Sequence, residues 1–187
     1  LKNRGGTLAR TLAPVMNASS PATAQPQFQL RVLPAIMWGG LIAGTFDISD
    51  ALVITCLIRG RPAMRLFQYI AQGLIGPGAF DGGMGTAALG LGLHYFIAYG
   101  AAVFFVLLSC KVPALFRRPF LWGPVYGVGF YFFMNYVVLP LSATPPFKVA
   151  WPIFINGVAI HALGIGLPIA LCTRWWARPA KTAADGR

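Results

Sequence analysis

Asp47 and Asp50 sit three residues apart in the run GTFDISDALVITC and make up half of the four acidic residues in a chain of 187. The stretch around them is otherwise apolar. The two histidines have the same setting, His94 in LGLHYFIAYG and His161 in NGVAIHALGIG. Ionisable groups in apolar segments are costly and call for partners, so these four side chains are the candidates for chemistry. An Asp–His pair in a dry interior shares a proton. Burial favours the neutral forms, mutual attraction favours the charged ones, and the two groups titrate as a unit. Two His and two Asp could also supply four metal ligands, but neither HxxxH nor ExxH spacing accompanies them. No metal or cofactor is expected. No nucleophile–base pair stands out, which makes an enzyme the weakest reading.

The elements that must position these groups are four apolar windows, roughly Val32–Ile58, Gly85–Ser109, Pro119–Leu141 and Trp151–Thr173. Each is long enough for the about 20 helical residues that cross about 30 Å of hydrocarbon. The composition agrees: 57% hydrophobic, 10% charged, and a mean hydropathy of +0.66. The expected fold is an all-α integral membrane protein, a four-transmembrane-helix bundle over 31–174. Between spans 1 and 2, Leu66, Phe67, Ile70 and Leu74 recur on one helical face, which predicts a short interfacial or re-entrant helix. Gly76-Pro77-Gly78 and Asp81-Gly82-Gly83 end it. Residues 1–30, rich in Pro, Ser, Ala and Gln, read as a disordered arm, with Met16 an alternative start, and 175–187 as a flexible tail.

Within the spans, small residues fall in stripes that bring helix backbones together. Span 1 carries Gly40 and Gly44 on the face of Asp47, span 2 Gly90 on the face of His94, and span 4 Gly157 and Gly164 on the face of His161. Gly123 and Gly127 stripe span 3. Counting about 1.5 Å per residue from each midpoint, Asp47 and His161 lie within about 2 Å of the middle. Asp50, His94 and Asn135 lie about 4–8 Å toward one side. These five form the expected buried polar cluster. Asn156 is about 9 Å out and about 140° around its helix from His161, which sets it apart. Tyr95, Tyr99, Tyr126, Tyr131 and Tyr136 read first as packing.

Cys56, Cys110 and Cys172 fall near span ends without metal or redox spacing and read as small apolar fillers. The net charge of +11 is spread over the flanks of the spans, which argues against nucleic acid and for contact with anionic lipid in the bilayer. Lys and Arg number eleven on the side of the termini against four on the other, so both termini are expected in the cytoplasm.

The segments LGLHYFIAYG and GPVYGVGFYFFMNYVVLPLSATPP, with a further His in span 4, resemble the YagU-like group of small four-span bacterial inner-membrane proteins. The likeness covers roughly residues 35–173 and rests on His94, Gly123, Gly127, Asn135, Pro140, Pro145 and His161. It implies four helices in a bacterial inner membrane. Some relatives have His where this chain has Asn135. Two functional readings stand: the cluster handles protons or a small polar solute, or it only holds the helices of a structural or accessory subunit together. A homo-oligomer or a larger membrane complex fits either.

Overall fold

The structure is a computed structural model and describes residues 28–146 and 149–179. The predicted arm therefore lies outside the described residues except for its last three, and the predicted tail except for its first five.

The chain is almost wholly helical. A three-residue strand β1 (Phe28–Leu30) leads into α1 (Val32–Leu52), and α2 (Ala63–Ile75) and α3 (Gly83–Lys111) follow. After one turn, α4 (Ala114–Arg117), come α5 (Pro119–Phe133), α6 (Leu139–Leu141), α7 (Trp151–Ile160), α8 (Leu167–Trp176) and the strand β2 (Ala177–Pro179). Three π-helical stretches join these into longer rods: Val53–Ile58 continues α1, Met134–Val138 links α5 to α6, and His161–Gly166 links α7 to α8. Four helices result that are long and apolar enough to cross a membrane: Val32–Ile58, Gly83–Lys111, Pro119–Leu141 and Trp151–Trp176. Here these are spans 1 to 4. Their outward faces carry bare apolar side chains, Phe96, Phe120 and Leu141 among them, as a lipid-facing surface would.

Two of the π stretches have a local cause. Pro140 and Pro168 lack a backbone N–H, and their rings would clash with the carbonyl four residues earlier in a regular helix. Widening the preceding turn relieves that clash, and Met134–Val138 and His161–Gly166 lie directly before these prolines.

Span 1 is the centre of the arrangement, packing against span 2 on one side and span 4 on the other, and span 3 lies against span 4. The core is built of small residues around a few large ones: Ala43, Ala101, Ala102 and Ala170 with Phe105, Ile165 and Ile169. Spans 3 and 4 pack closely enough that an added Cβ at Gly127 would collide with the His161 carbonyl, and one at Gly166 with the Gly123 carbonyl. Spans 2 and 3 approach mainly through side chains. The Tyr126 hydroxyl donates to the Ala101 carbonyl at 2.8 Å, and the Tyr126 ring meets Phe105 edge-on at 5.0 Å.

The short helix between spans 1 and 2 is α2, and it uses its faces inside out. Its buried residues are Gln68, Ala71 and Gln72, which turn toward α3, while Leu74 and Ile75 are exposed. The Gln68 amide donates to the Gly83 carbonyl at 3.2 Å. Gly76, at φ 73°, turns the chain out of the helix. α2 also receives a hydrogen bond from the loop after span 3, Ala143 N–H to the Gly73 carbonyl at 2.9 Å.

At the opposite end of the molecule the two edges of the described chain pair. β1 and β2 form an antiparallel ribbon, Gln29 opposite Arg178, and the Arg31 N–H donates to the Trp176 carbonyl at 3.0 Å. Residues 28–30 and 177–179 thus pair with one another, at positions the sequence assigned to the arm and the tail. Trp175 and Trp176 belong to α8, and main-chain pairing between two three-residue segments is too short to leave an apolar period to read.

Candidate functional site

Asp47 stands midway along span 1, one turn beyond Gly44. The missing side chain at Gly44 lets span 2 close in, with Ala98 and Tyr95 in contact there. His94 uses the same gap: its Nε2 lies 2.8 Å from the Gly44 carbonyl oxygen. Its Nδ1 lies 3.9 Å from Asp47 Oδ2. From the other side His161, the first residue of the π stretch in span 4, brings its own Nδ1 to 3.8 Å from Asp47 Oδ1. One carboxylate from span 1 is thus held between two imidazoles from spans 2 and 4.

The hydrogen bond to Gly44 fixes a proton. A carbonyl oxygen only accepts, so His94 Nε2 carries hydrogen. A neutral His94 then turns the lone pair of Nδ1 toward the carboxylate. Two electron-rich atoms facing each other in a dry site repel, unless a proton sits on the imidazole or on the carboxyl group. At 3.9 Å and 3.8 Å the two imidazoles stand just beyond direct hydrogen-bond reach of the carboxylate. His161 Nδ1 is buried and has no hydrogen bond within standard distance. Asp47 keeps 23% of its side-chain surface accessible.

Asp50 belongs to a separate pair. The Asn156 amide donates to Asp50 Oδ2 at 2.7 Å, joining span 1 to span 4. The sequence reading set Asn156 apart by its angle from His161, and that angle was the wrong reference. Asp50 is turned about 60° from Asp47 on its own helix and lies about 4.5 Å further along, so its partner need not share the His161 face. The expected single cluster is two pairings at adjacent depths.

Asn135 is not in the cluster. Its amide donates to the Tyr131 carbonyl one turn back in its own helix, at 2.9 Å. It sits in the π stretch of span 3, where the extra residue in the turn shifts facing away from that of a regular helix. Its side chain instead lines an open cavity of about 820 Å³ at the end of the molecule opposite the ribbon. Tyr131, Tyr136, Ser142, Thr144 and Trp151 also line that cavity.

Tyr131 joins the cavity to the cluster. It lines the cavity, and its ring stands edge-on to His161, with centroids 5.2 Å apart and planes at 82°. Gly157 makes room for it, since an added Cβ there would come within 2.6 Å of the ring. Sequence reasoning placed Tyr131 among packing aromatics. The signal that could have singled it out is its position four residues before Asn135, in a span otherwise striped with Gly and Phe.

The glycines expected at helix contacts lie as follows. Gly40 faces Tyr99, Gly90 the Phe67 carbonyl of α2, and Gly123 the Leu167 backbone. Gly164 faces chiefly Ile160 of its own helix, with Phe46 beyond. Among the described residues no group of three His, Cys, Asp or Glu side chains has the geometry to hold a metal ion. No protein-family model matches this chain, and no curated protein or solved structure is similar to it.

Proposed function

We propose that this is a small polytopic membrane protein in which Asp47, His94 and His161 form a proton-handling site, serving passage of a proton or of a small polar solute that moves with one. The observation that carries this reading is the facing of two imidazole nitrogens, from different spans, onto one carboxylate whose neighbour already has its other nitrogen committed to a carbonyl. The open cavity floored by Tyr131 supports it, because it brings solvent-accessible polar groups within one ring of His161. On the sequence resemblance and the distribution of Lys and Arg, the membrane is a bacterial inner membrane, with the ribbon end in the cytoplasm and the cavity on the far side.

The test is proton flux into vesicles reconstituted with the purified protein, followed with an entrapped pH-sensitive dye under an imposed gradient. Wild-type flux should exceed that of empty vesicles, and Asp47→Asn should return it to the empty-vesicle level while keeping the wild-type elution profile and helix content. Undiminished flux in that folded variant would falsify the reading.

A second reading is favoured by the Asp50–Asn156 hydrogen bond, which joins spans 1 and 4. In it the polar groups hold the helices of an accessory subunit together, as interhelical hydrogen bonds do in membranes. Flux at background in wild-type protein would favour it.

A further inference from the structure

Span 3 holds His161 at two points. Gly127 has no side chain, which leaves the His161 carbonyl room to come close. One turn further along the same face, Tyr131 lays its ring against the imidazole. Among the described residues two aromatic rings meet His161, Phe130 with centroids 6.2 Å apart and Tyr131 at 5.2 Å. Of these two, only Tyr131 also lines the cavity at the end opposite the ribbon. His161 is not on the cavity wall, and its side chain keeps 16% of its surface accessible. The Tyr131 ring is the partition between the two.

The backbone of Tyr131 is fixed more firmly than its ring. Its carbonyl accepts a hydrogen bond from Asn135 Nδ2 at 2.9 Å, which ties the main chain to the π stretch that follows. The ring is packed edge-on against Phe132 and Phe154, at 5.6 Å between centroids in each case. Its outer end lies over Gly157, where an added Cβ would come within 2.6 Å of the ring and 3.3 Å of the hydroxyl. Edge-on ring contacts are weak and directional, and a side-chain rotation gives them up without breaking a helix. The pivot is anchored, and the part that separates cavity from imidazole is free to turn about it.

We infer that Tyr131 is a positioning residue and the gate of the site: its ring holds the His161 imidazole beside Asp47 and keeps cavity water off it, and proton exchange with the cavity requires the ring to swing aside. The inference rests on the reading of Asp47, His94 and His161 as a proton-handling site, and adds which mouth serves that site and what controls it. Gly157 gains a role from it as well. Alanine there meets the outer end of the Tyr131 side chain rather than backbone, so the ring is what gives way.

Exchange of the imidazole C2 hydrogen for deuterium tests the gate, with heavy water as the probe, on the purified full chain in detergent and resolved at His94 and His161 by mass spectrometry. In Tyr131→Ala, exchange at His161 should accelerate about tenfold, as where a closed segment becomes permanently open, while His94 keeps its wild-type rate. Tyr131→Phe retains the ring and should match wild type at both histidines. Gly157→Ala, with Tyr131 in place, should accelerate His161 about threefold. An unchanged His161 rate in folded Tyr131→Ala overturns the inference. So does equal acceleration at His94, which would mean that the whole bundle had loosened, or acceleration in Tyr131→Phe, which would assign the effect to the hydroxyl. If Tyr131→Ala does not fold, Gly157→Ala decides, and a wild-type His161 rate there overturns the gate. Exchange needs no flux, so background flux in vesicles sinks the proton site alone, and the gate stands or falls on the exchange rates.

Discussion

His94 makes two contacts that can be taken apart by substitution. Its Nε2 hydrogen bond to the Gly44 carbonyl is structural, and its Nδ1 faces the carboxylate. His94→Ala removes both and should lower stability in detergent by about 1–2 kcal/mol, the range of interhelical hydrogen bonds with some lost packing. His94→Gln offers an amide N–H to the same carbonyl and should recover most of that loss in a thermal melt, with vesicle flux still at background. Recovery of flux by glutamine would show that passage does not need the imidazole. Asn156→Ala should cost about as much as His94→Ala, since it strips Asp50 of its donor. Asp47 and the two histidines were legible as partners because each rides a small-residue stripe at matching depth. The Asp50–Asn156 bond was not. One helical angle, measured from His161, cannot say which residues of a neighbouring rod lie slightly further along.

Among the helices, contacts are set by where a Cβ can be added. Gly127 and Gly166 face carbonyls of the opposing span, so alanine at either position forces spans 3 and 4 apart. Gly127→Ala should destabilise by about 1–3 kcal/mol, as overpacking does, and should disturb the His161 stretch with it. Gly92→Ala, where the space is open, should stay within about 0.5 kcal/mol of wild type. Thermal unfolding of the two variants in one detergent checks the contrast, and equal melting temperatures would contradict the packing. Apolar periodicity announced the spans and α2 because length and hydropathy alone decide them. The π stretches were hidden. Pro140 and Pro168 mark where a regular helix must yield, but not how many turns widen, and that choice set the facing of Asn135.

At the scale of the whole molecule, the proposed orientation rests on the distribution of Lys and Arg. Cys110 is exposed at the ribbon end beside Lys111, so it should lie in the cytoplasm. With Cys56 and Cys172 replaced by serine, a membrane-impermeant maleimide should label Cys110 only after the cells are permeabilised. Labelling in intact cells would reverse the topology and place the open cavity inside.

The pairing of Phe28–Leu30 with Ala177–Pro179 has an engineering consequence. Because these two segments lie side by side, a short peptide could join them covalently and the chain could be reopened at the exposed Gly60 turn. Such a circular permutant should still insert and assemble, provided the spans find one another without the native order of synthesis.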